Sequence, residues 1–110
     1  MKLGDLMKKI SAGELKKVVN GEELVVVDFY ADWCMPCRYL SPILEKLEKE
    51  FKEVKFYKLN VDEEKDLAFE LGISSIPTVL FFKKGKVVGG FIGALPESAV
   101  RSEIKKVLKM

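Results

Sequence analysis

Cysteine is the residue type whose spacing in this chain most plainly indicates chemistry. The two cysteines of the 110 residues lie together in the sequence Cys34-Met35-Pro36-Cys37. A C-x-x-C pair directly after an apolar segment is typical of reversible thiol–disulfide exchange. Zinc sites usually need four Cys or His ligands, and the chain has two cysteines and no histidine. A structural disulfide across so short a loop would restrain the unfolded chain little, so redox use is favoured over both alternatives.

The position of the pair predicts different roles for its two sulfurs. The pair stands at the expected start of a long helix, where free backbone N–H groups and the helix dipole stabilise an anion. This placement should lower the pKa of the Cys34 thiol, and the thiolate is the form that attacks a disulfide. Pro36 falls in the first turn, where its missing N–H is not needed. Cys37 lies one turn further in, so we expect it to be less exposed and less ionised, as suits a resolving thiol.

Asp28 is an acidic residue inside a segment that otherwise predicts a buried strand, residues 24–30. Burying an unpaired carboxylate is costly, and burial raises the pKa of such a group. A carboxyl with a raised pKa can hold or pass a proton near neutral pH. The alternative is that Asp28 lies at a solvated end of the strand.

The hydrophobic pattern predicts the elements that position these residues. Strands are predicted at 24–30, 54–61, 78–83 and 86–92, and helices at 11–20, 34–51, 62–71 and 96–108. Ser11 and Asp62 are the expected N-caps of the first and third helices. Pro42 is expected to kink the second helix. This order predicts an α/β fold, with a central mixed sheet of four to five strands and helices on both faces.

Composition limits the class of protein. A length of 110 residues suits one domain, 1–110, of which residues 1–10 form an extension of uncertain structure. The 19 basic and 17 acidic residues are interspersed, which indicates neither a nucleic-acid surface nor a membrane surface. No apolar run resembles a transmembrane segment or secretory signal, so a cytoplasmic location is expected, and a mature secreted form whose signal has been removed is the alternative. The chain is also expected to be a monomer. Abundant Lys and Glu, with no Gln, resemble the composition of proteins from hot environments.

Five separated motifs resemble those of one family, the thioredoxins, in the same order along residues 22–108. The segment Val27-Asp28-Phe29-Tyr30-Ala31-Asp32-Trp33-Cys34-Met35-Pro36-Cys37 resembles its active-site segment, and Pro42 its helix-kinking proline. Lys58-Leu59-Asn60-Val61-Asp62 resembles its second core strand, Ile76-Pro77-Thr78 its cis-proline loop, and Gly93-Ala94-Leu95 its last glycine loop. A C-x-x-C motif alone would be modest evidence, whereas the ordered set is specific.

The resemblance implies a thioredoxin fold and a protein-disulfide reductase. In such an enzyme the Cys34 thiolate attacks a substrate disulfide and Cys37 resolves the mixed disulfide, with Asp28 and the nearby Lys58 assisting deprotonation of Cys37. A cis bond before Pro77 would place the backbone of Ile76 beside the cysteine pair. The residues expected to contact substrate are Trp33, Met35, Pro36, Ile76, Pro77, Gly93 and Ala94.

The resemblance also implies the partners of the chain. Its substrates would be disulfide-containing proteins, and it would carry no bound cofactor and no metal. Electrons would come from a thioredoxin-reductase-type flavoprotein that is fed by NADPH or linked to ferredoxin.

Two departures from the family pattern leave alternatives open. The family's usual Gly-Pro between the cysteines is Met35-Pro36 here, and the intervening residues tune the redox potential, so an oxidant or isomerase on the same fold is the nearest alternative. A binding module that uses the groove inside another assembly is a second. The helical spacing of Leu3, Leu6, Met7 and Ile10 further predicts that the family's first strand is short or absent.

Overall fold

The computed structural model of the chain describes residues 7–110. Its strands are β1 (Lys8–Lys9), β2 (Val25–Tyr30), β3 (Lys55–Asn60), β4 (Thr78–Lys83) and β5 (Lys86–Ile92). Its helices are α1 (Ala12–Val18), α2 (Met35–Glu50), α3 (Lys65–Glu70) and α4 (Glu97–Leu108). Each strand and helix predicted from the hydrophobic pattern is present, with ends displaced by at most a few residues.

The strands form one mixed sheet in the order β1-β3-β2-β4-β5. The pairs β1–β3 and β2–β3 are parallel, whereas β4 is antiparallel to both β2 and β5. The nearly continuous apolar run of β2 explains its central position, because a strand with neighbours on both sides and helices on both faces must be apolar throughout. The sheet confirms the predicted α/β fold with helices on both faces.

Two apolar cores lie on opposite faces of this sheet. Val26 points to the face covered by α2 and α4, where it belongs to the same core as Leu44 and Ile104. Val25 and Val27 point to the other face, which carries α1 and α3. Since side chains alternate along a strand, Asp28 lies on the same face as Val26, beneath α2. The sheet therefore places the one acidic residue of β2 under the helix that begins at the cysteines.

The described part of the N-terminal segment is a short strand and not a helix. Lys8 and Lys9 pair in parallel with Tyr57 and Lys58 of β3, and the Ile10 N–H donates to the Lys58 carbonyl at 2.9 Å. The first strand was expected to be short or absent, and it is short, with two residues. Pairing with a free sheet edge overrides the weak helical spacing of the apolar residues around it. The other two residues of that pattern, Leu3 and Leu6, lie outside the described residues.

The helix ends show one correct and one wrong prediction. Ser11 caps α1 through a capping box, in which its hydroxyl accepts the Glu14 N–H at 3.2 Å and its own N–H donates to Glu14 at 2.9 Å. Asp62 does not cap α3, which begins at Lys65 without a side-chain cap. Instead the side-chain oxygen of Asn60 accepts the Asp62 N–H at 2.8 Å and turns the chain before the helix can begin.

Pro42 lies inside α2, in the interior position at which a kink is expected. Its ring removes one backbone donor from the helix, which is the usual cause of such a bend. The kink itself stays a prediction.

Candidate active site

Cys34 and Cys37 form a disulfide at the start of α2. Strand β2 ends at Tyr30, and the N–H of Cys34 donates to the Ala31 carbonyl at 3.2 Å in the turn that follows. Cys34 is the N-cap residue, and its Sγ accepts the N–H of Cys37 at 3.2 Å. Pro36 lies in the first turn, as expected. The Cys34 sulfur therefore receives a helix N-terminal donor of the kind that stabilises negative charge.

The two cysteines differ in their neighbours and not in their exposure. Each residue is 3% exposed in this oxidised structure, so the expectation that Cys37 would be less exposed than Cys34 was wrong here. Both pack with Ala31, Val61 and Ile76. Of the two, Cys37 lines the cavity that contains Asp28. The disulfide joins the two side chains within one buried cluster, so depth along the helix does not make Cys37 less exposed than Cys34 in the oxidised state.

Asp28 is 2% exposed, which rules out the alternative of a solvated strand end. Its Cα partner across the parallel ladder is Lys58, and its Oδ1 has no hydrogen-bond partner among the described residues. Burial raises the pKa of Asp28 from 3.8 to about 7, and the positive charge of Lys58 acts in the opposite direction. The carboxyl therefore titrates close to neutral pH.

A cavity of about 230 Å³ connects Asp28 with Cys37 and Lys58. Its other lining residues are Tyr30, Ala31, Asp32, Arg38 and Ser41. The ammonium group of Lys58 lies 5.6 Å from the centre of the Tyr30 ring, within the range of a cation–π contact. The cavity is large enough to hold water between the carboxyl and the sulfur.

Sequence analysis did not single out Tyr30, Arg38 or Ser41 as part of this cavity. Tyr30 lies two residues after Asp28 and therefore on the same strand face, which is a signal that could have found it. Arg38 donates from Nε to the Asp32 carbonyl at 3.2 Å, a contact between two residues that line the cavity. Neither Arg38 nor Ser41 carries a local pattern that distinguishes it from other polar residues of a helix.

The loop that carries Ile76 and Pro77 lies against the cysteine pair. The Ile76–Pro77 peptide bond is cis, as the resemblance implied, and Ile76 packs against the cysteines. The N–H of Gly93 donates to the Pro77 carbonyl at 2.8 Å, and Gly93 has a φ of +93°, which glycine adopts without steric cost. The proline and glycine loops, distant in sequence, are thus joined beside the disulfide.

Two apolar grooves flank the cysteine pair. The first, called here the Trp33 groove, has a volume of about 320 Å³ and is lined by Trp33, Val61, Lys65, Ala68, Phe69, Ile73, Ser74, Ser75 and Ile76. The second, called here the Met35 groove, has a volume of about 450 Å³ and is lined by Met35, Pro36, Tyr39, Ile43, Ala94, Leu95 and Pro96. Between them, the grooves and the Pro77–Gly93 contact hold every residue that was expected to bind substrate.

Trp33 is 71% exposed, and its Nε1–H donates to Asp62 Oδ2 at 2.8 Å. Its exposure is compatible with the expected contact with substrate, and its partner is the residue that was expected to cap α3. Sequence analysis missed this role of Asp62, although its position directly after β3, at the same sheet edge as the end of β2, could have indicated it.

Across residues 7–110, no helix combines the length and apolar character needed to cross a bilayer. Within the same residues, no three His, Cys, Asp or Glu side chains are grouped so that they could hold a metal ion.

The site and the sheet together define a thiol–disulfide oxidoreductase with the thioredoxin fold. The cysteine pair lies at a helix start, a buried carboxyl lies in a cavity beside one sulfur, and the sheet is mixed and has five strands. The family model described as Thioredoxin matches residues 7–106. The chain therefore belongs to the thioredoxin family, and it is a protein-disulfide reductase.

Individual relatives show the same similarity over most of the chain. The thioredoxin of Mycoplasmoides gallisepticum is 41% identical over 104 residues, which cover 94% of this chain and 100% of that protein. The chloroplastic M-type thioredoxin of Pisum sativum is 46% identical over 92 residues, 83% of this chain, which spans only 54% of that longer protein. The X-ray structure of Fasciola hepatica thioredoxin superposes with a TM-score of 0.84 at 40% identity, covering 91% of this chain and 98% of that one.

Proposed function

We propose that Cys34 is the nucleophile and Cys37 the resolving thiol of the disulfide reduction, and that residues 1–110 act as one domain. The observation that carries the assignment is the difference in sulfur neighbours. The Cys34 Sγ accepts a backbone N–H at the helix start, whereas Cys37 lines the cavity of Asp28. A thiolate is therefore favoured at Cys34, and a proton acceptor is available to Cys37.

The reaction proceeds in two balanced exchange steps. The Cys34 thiolate attacks one sulfur of a substrate disulfide, an intermolecular S–S bond forms, and the other substrate sulfur leaves as a thiolate that is protonated by solvent. Cys37 then loses its proton to Asp28 and attacks the Cys34 sulfur, which releases the second substrate thiolate. Two electrons pass from the dithiol to the substrate, and the enzyme ends as the Cys34–Cys37 disulfide.

Asp28 is suited to the second step because its pKa of about 7 allows it to be ionised before the step and protonated during it. Its Oδ1 has no hydrogen-bond partner among residues 7–110, so this oxygen is available to accept a proton directly or through water in the cavity. Lys58 stabilises the ionised form, since its charge lowers the pKa that burial raises.

The substrate segment lies across the two grooves beside the cysteines. The indole of Trp33 and the side chain of Ile76 contact it on one side, and Met35, Pro36 and Ala94 contact it on the other. The backbone of Ile76 pairs with the extended segment as an added strand does, while Pro77 and Gly93 hold that backbone in place. Exposure of the Trp33 ring and packing of Ile76 against the cluster that contains both cysteines support this arrangement.

The chain works as a monomer that receives its electrons from a separate reductase. Its two cysteines are both used in the reactive pair, which leaves none for a structural disulfide of the kind that stabilises small secreted domains. This supports a cytoplasmic location.

The reductase is a flavoprotein of the thioredoxin-reductase type, supplied by NADPH or by ferredoxin, and the chain itself binds no cofactor.

Trapping of the mixed disulfide tests the roles of the two sulfurs. A Cys37→Ser variant, incubated with a disulfide-containing protein such as insulin, is expected to accumulate a covalent adduct on Cys34, and Cys34→Ser is the matched control that forms none. Reduced wild-type protein treated with limiting iodoacetamide near neutral pH should be alkylated first at Cys34. First labelling at Cys37, or an adduct only in Cys34→Ser, would reverse the assignment.

A second measurement separates a reductant from an oxidant on the same fold. The equilibrium of the Cys34–Cys37 pair with reduced and oxidised glutathione is expected to give a potential well below that of the glutathione pool. A potential near or above that of glutathione would instead favour the oxidant or isomerase alternative that Met35 leaves open.

A further inference from the structure

Phe69 is a large apolar residue of α3 that is 86% exposed, more than any other large apolar side chain of residues 7–110. Isolated exposed apolar residues are common on protein surfaces. Phe69, however, lines the Trp33 groove, which also contains Val61 and Ile76, two residues that pack against the cluster of the reactive cysteines. We propose that Phe69 is a specificity-determining residue, which binds a large apolar side chain that lies near the disulfide of a protein substrate. The inference rests on the proposed substrate site and extends it outward.

The groove is continuous with the reactive centre. Val61 and Ile76 pack against Cys34 and Cys37, and the same two residues form the inner lining of the Trp33 groove. An extended segment that pairs with the backbone at Ile76 therefore continues along this lining towards Phe69. Its side chains alternate in direction at about 3.3 Å per residue, so the side chain that enters the groove lies a few residues from the substrate cysteine.

The walls of the groove are held in place before any ligand binds. Asp62 accepts the hydrogen bond of Trp33 at 2.8 Å and fixes the orientation of the indole on one side. On the other side, the Ile73 N–H donates to the Ala68 carbonyl at 2.9 Å and ties the segment after α3 to the helix that carries Phe69. A groove whose walls are already ordered loses less conformational entropy when a ligand binds. More of the free energy of contact therefore contributes to affinity.

The size and charge of the groove define the side chain that it accepts. Its volume of about 320 Å³ lies at the lower end of the range of ligand pockets, about 300 to 1,000 Å³, so it has room for one large side chain. Lys65 is the one charged residue among those that line it. The occupant is therefore a Phe, Leu or Met side chain whose neighbours on the substrate strand are neutral or acidic rather than basic.

The chain offers a matched control for Phe69. Ile92 is also exposed, to 65%, and with Leu80 and Val87 it lines a second groove, which adjoins the Trp33 groove at Ile73 and Ser74 but contains neither Phe69 nor Ile76. None of Ile92, Leu80 and Val87 packs against the cysteine cluster. A change at Ile92 removes a similar exposed apolar surface without altering the path from the cysteines to Phe69.

The test uses short synthetic peptides, each with one cysteine bonded through a disulfide to 5-thio-2-nitrobenzoate. Each position flanking the cysteine is varied among Phe, Leu, Ser, Glu and Lys, and single-turnover release of the coloured thiolate is followed with reduced protein. The wild type is expected to favour an apolar residue over Ser at one position about tenfold, which corresponds to about 50 Å² of contact at roughly 25 cal/mol/Å². Phe69→Ser should lose most of this preference. The loss should appear as a higher half-saturating concentration for the apolar peptide, with the maximal rate unchanged.

Two controls distinguish the possible outcomes. Ile92→Ser should keep the full preference, and Lys65→Glu should exchange the preference for an acidic neighbour with one for a basic neighbour. An apolar preference that is absent in the wild type, or unaltered in Phe69→Ser, would overturn the inference and leave the proposed function intact. Failure of the wild type to release the reporter even from the symmetrical aromatic disulfide would overturn both.

Discussion

The indole of Trp33 and the carboxylate of Asp62 are joined by a hydrogen bond of 2.8 Å. It connects the residue directly before Cys34 to the turn that follows β3, across 29 positions of sequence. It orients a ring that is otherwise largely exposed and that forms one wall of the groove beside the disulfide.

Removal of the acceptor is expected to loosen the indole and weaken substrate binding. In Asp62→Ala, the half-saturating concentration for insulin should rise about fivefold, which matches the loss of one hydrogen bond of ordinary net strength. Trp33 is the single tryptophan of the chain, so the decay of its fluorescence anisotropy reports directly on the ring and should become faster. Asp66→Ala, which removes an exposed charge from α3, is the control and should change neither quantity. Unaltered anisotropy in Asp62→Ala would contradict this role.

The raised pKa of Asp28 predicts a stability that falls as the pH rises. The folded state holds the Asp28 proton up to a pH of about 7, whereas the unfolded state loses it near the ordinary value of 3.8, so folding is favoured most where both forms are protonated. A difference of about three pKa units corresponds to about 4 kcal/mol, which is lost between about pH 4 and pH 8.

The Asp28→Asn variant isolates this contribution. Its free energy of unfolding, measured with urea on the oxidised protein, should exceed that of the wild type by several kcal/mol more at about pH 8 than at about pH 4. Comparison of the two proteins at each pH cancels the titration of all other groups. The same variant should resolve mixed disulfides more slowly. A gain in stability that is equal at both values would show that Asp28 titrates normally.

Loss of the Lys58 charge is expected to raise the pKa of Asp28 further. Lys58 favours the ionised carboxylate, so in Lys58→Met the pH at which resolution becomes fast should move upward by about one unit. The measurement is the rate of release of substrate thiol from a preformed mixed disulfide, followed across neutral pH. Lys55→Met removes an equal charge from an exposed position of the same strand and is expected to leave the profile in place. An equal shift in both variants would point to a general effect of net charge.

Gly90 is a position at which β5 tolerates no side chain. Its φ is +154°, and an added Cβ would collide with the carbonyl oxygen of Val79 on β4. Gly90→Ala should therefore lower the free energy of unfolding by about 2 kcal/mol or more, because backbone and not a movable side chain is in the way. Gly21→Ala, whose Cβ would meet nothing within 4 Å, should stay within about 0.5 kcal/mol of the wild type in the same urea titration. Equal effects in the two variants would contradict the steric explanation.

Much of the fold could be predicted because its signals are local. The box formed by Ser11 and Glu14 marks the start of α1, and the apolar run that ends at Tyr30 marks the central strand. The actual start of α3 could not be predicted, since the turn depends on the Asn60 amide oxygen, which accepts the N–H of Asp62. Asp62 is of a residue type that often caps a helix. Its carboxylate instead accepts a hydrogen bond from Trp33, which only folding brings close to it.

By itself the sequence determined the order of strands and helices and the reactive pair Cys34–Cys37. It also showed an acidic residue, Asp28, inside an otherwise apolar strand. These follow from periodicity, from spacing and from the cost of a carboxylate in an apolar strand, all of which are properties of neighbouring residues. The tertiary structure alone decided which residues share a cavity or a groove. Parallel pairing of β2 with β3 sets Lys58 beside Asp28, and the packing of α3 places Phe69 in the same groove as Trp33. Such contacts join positions far apart in sequence, and only the folded geometry brings them together.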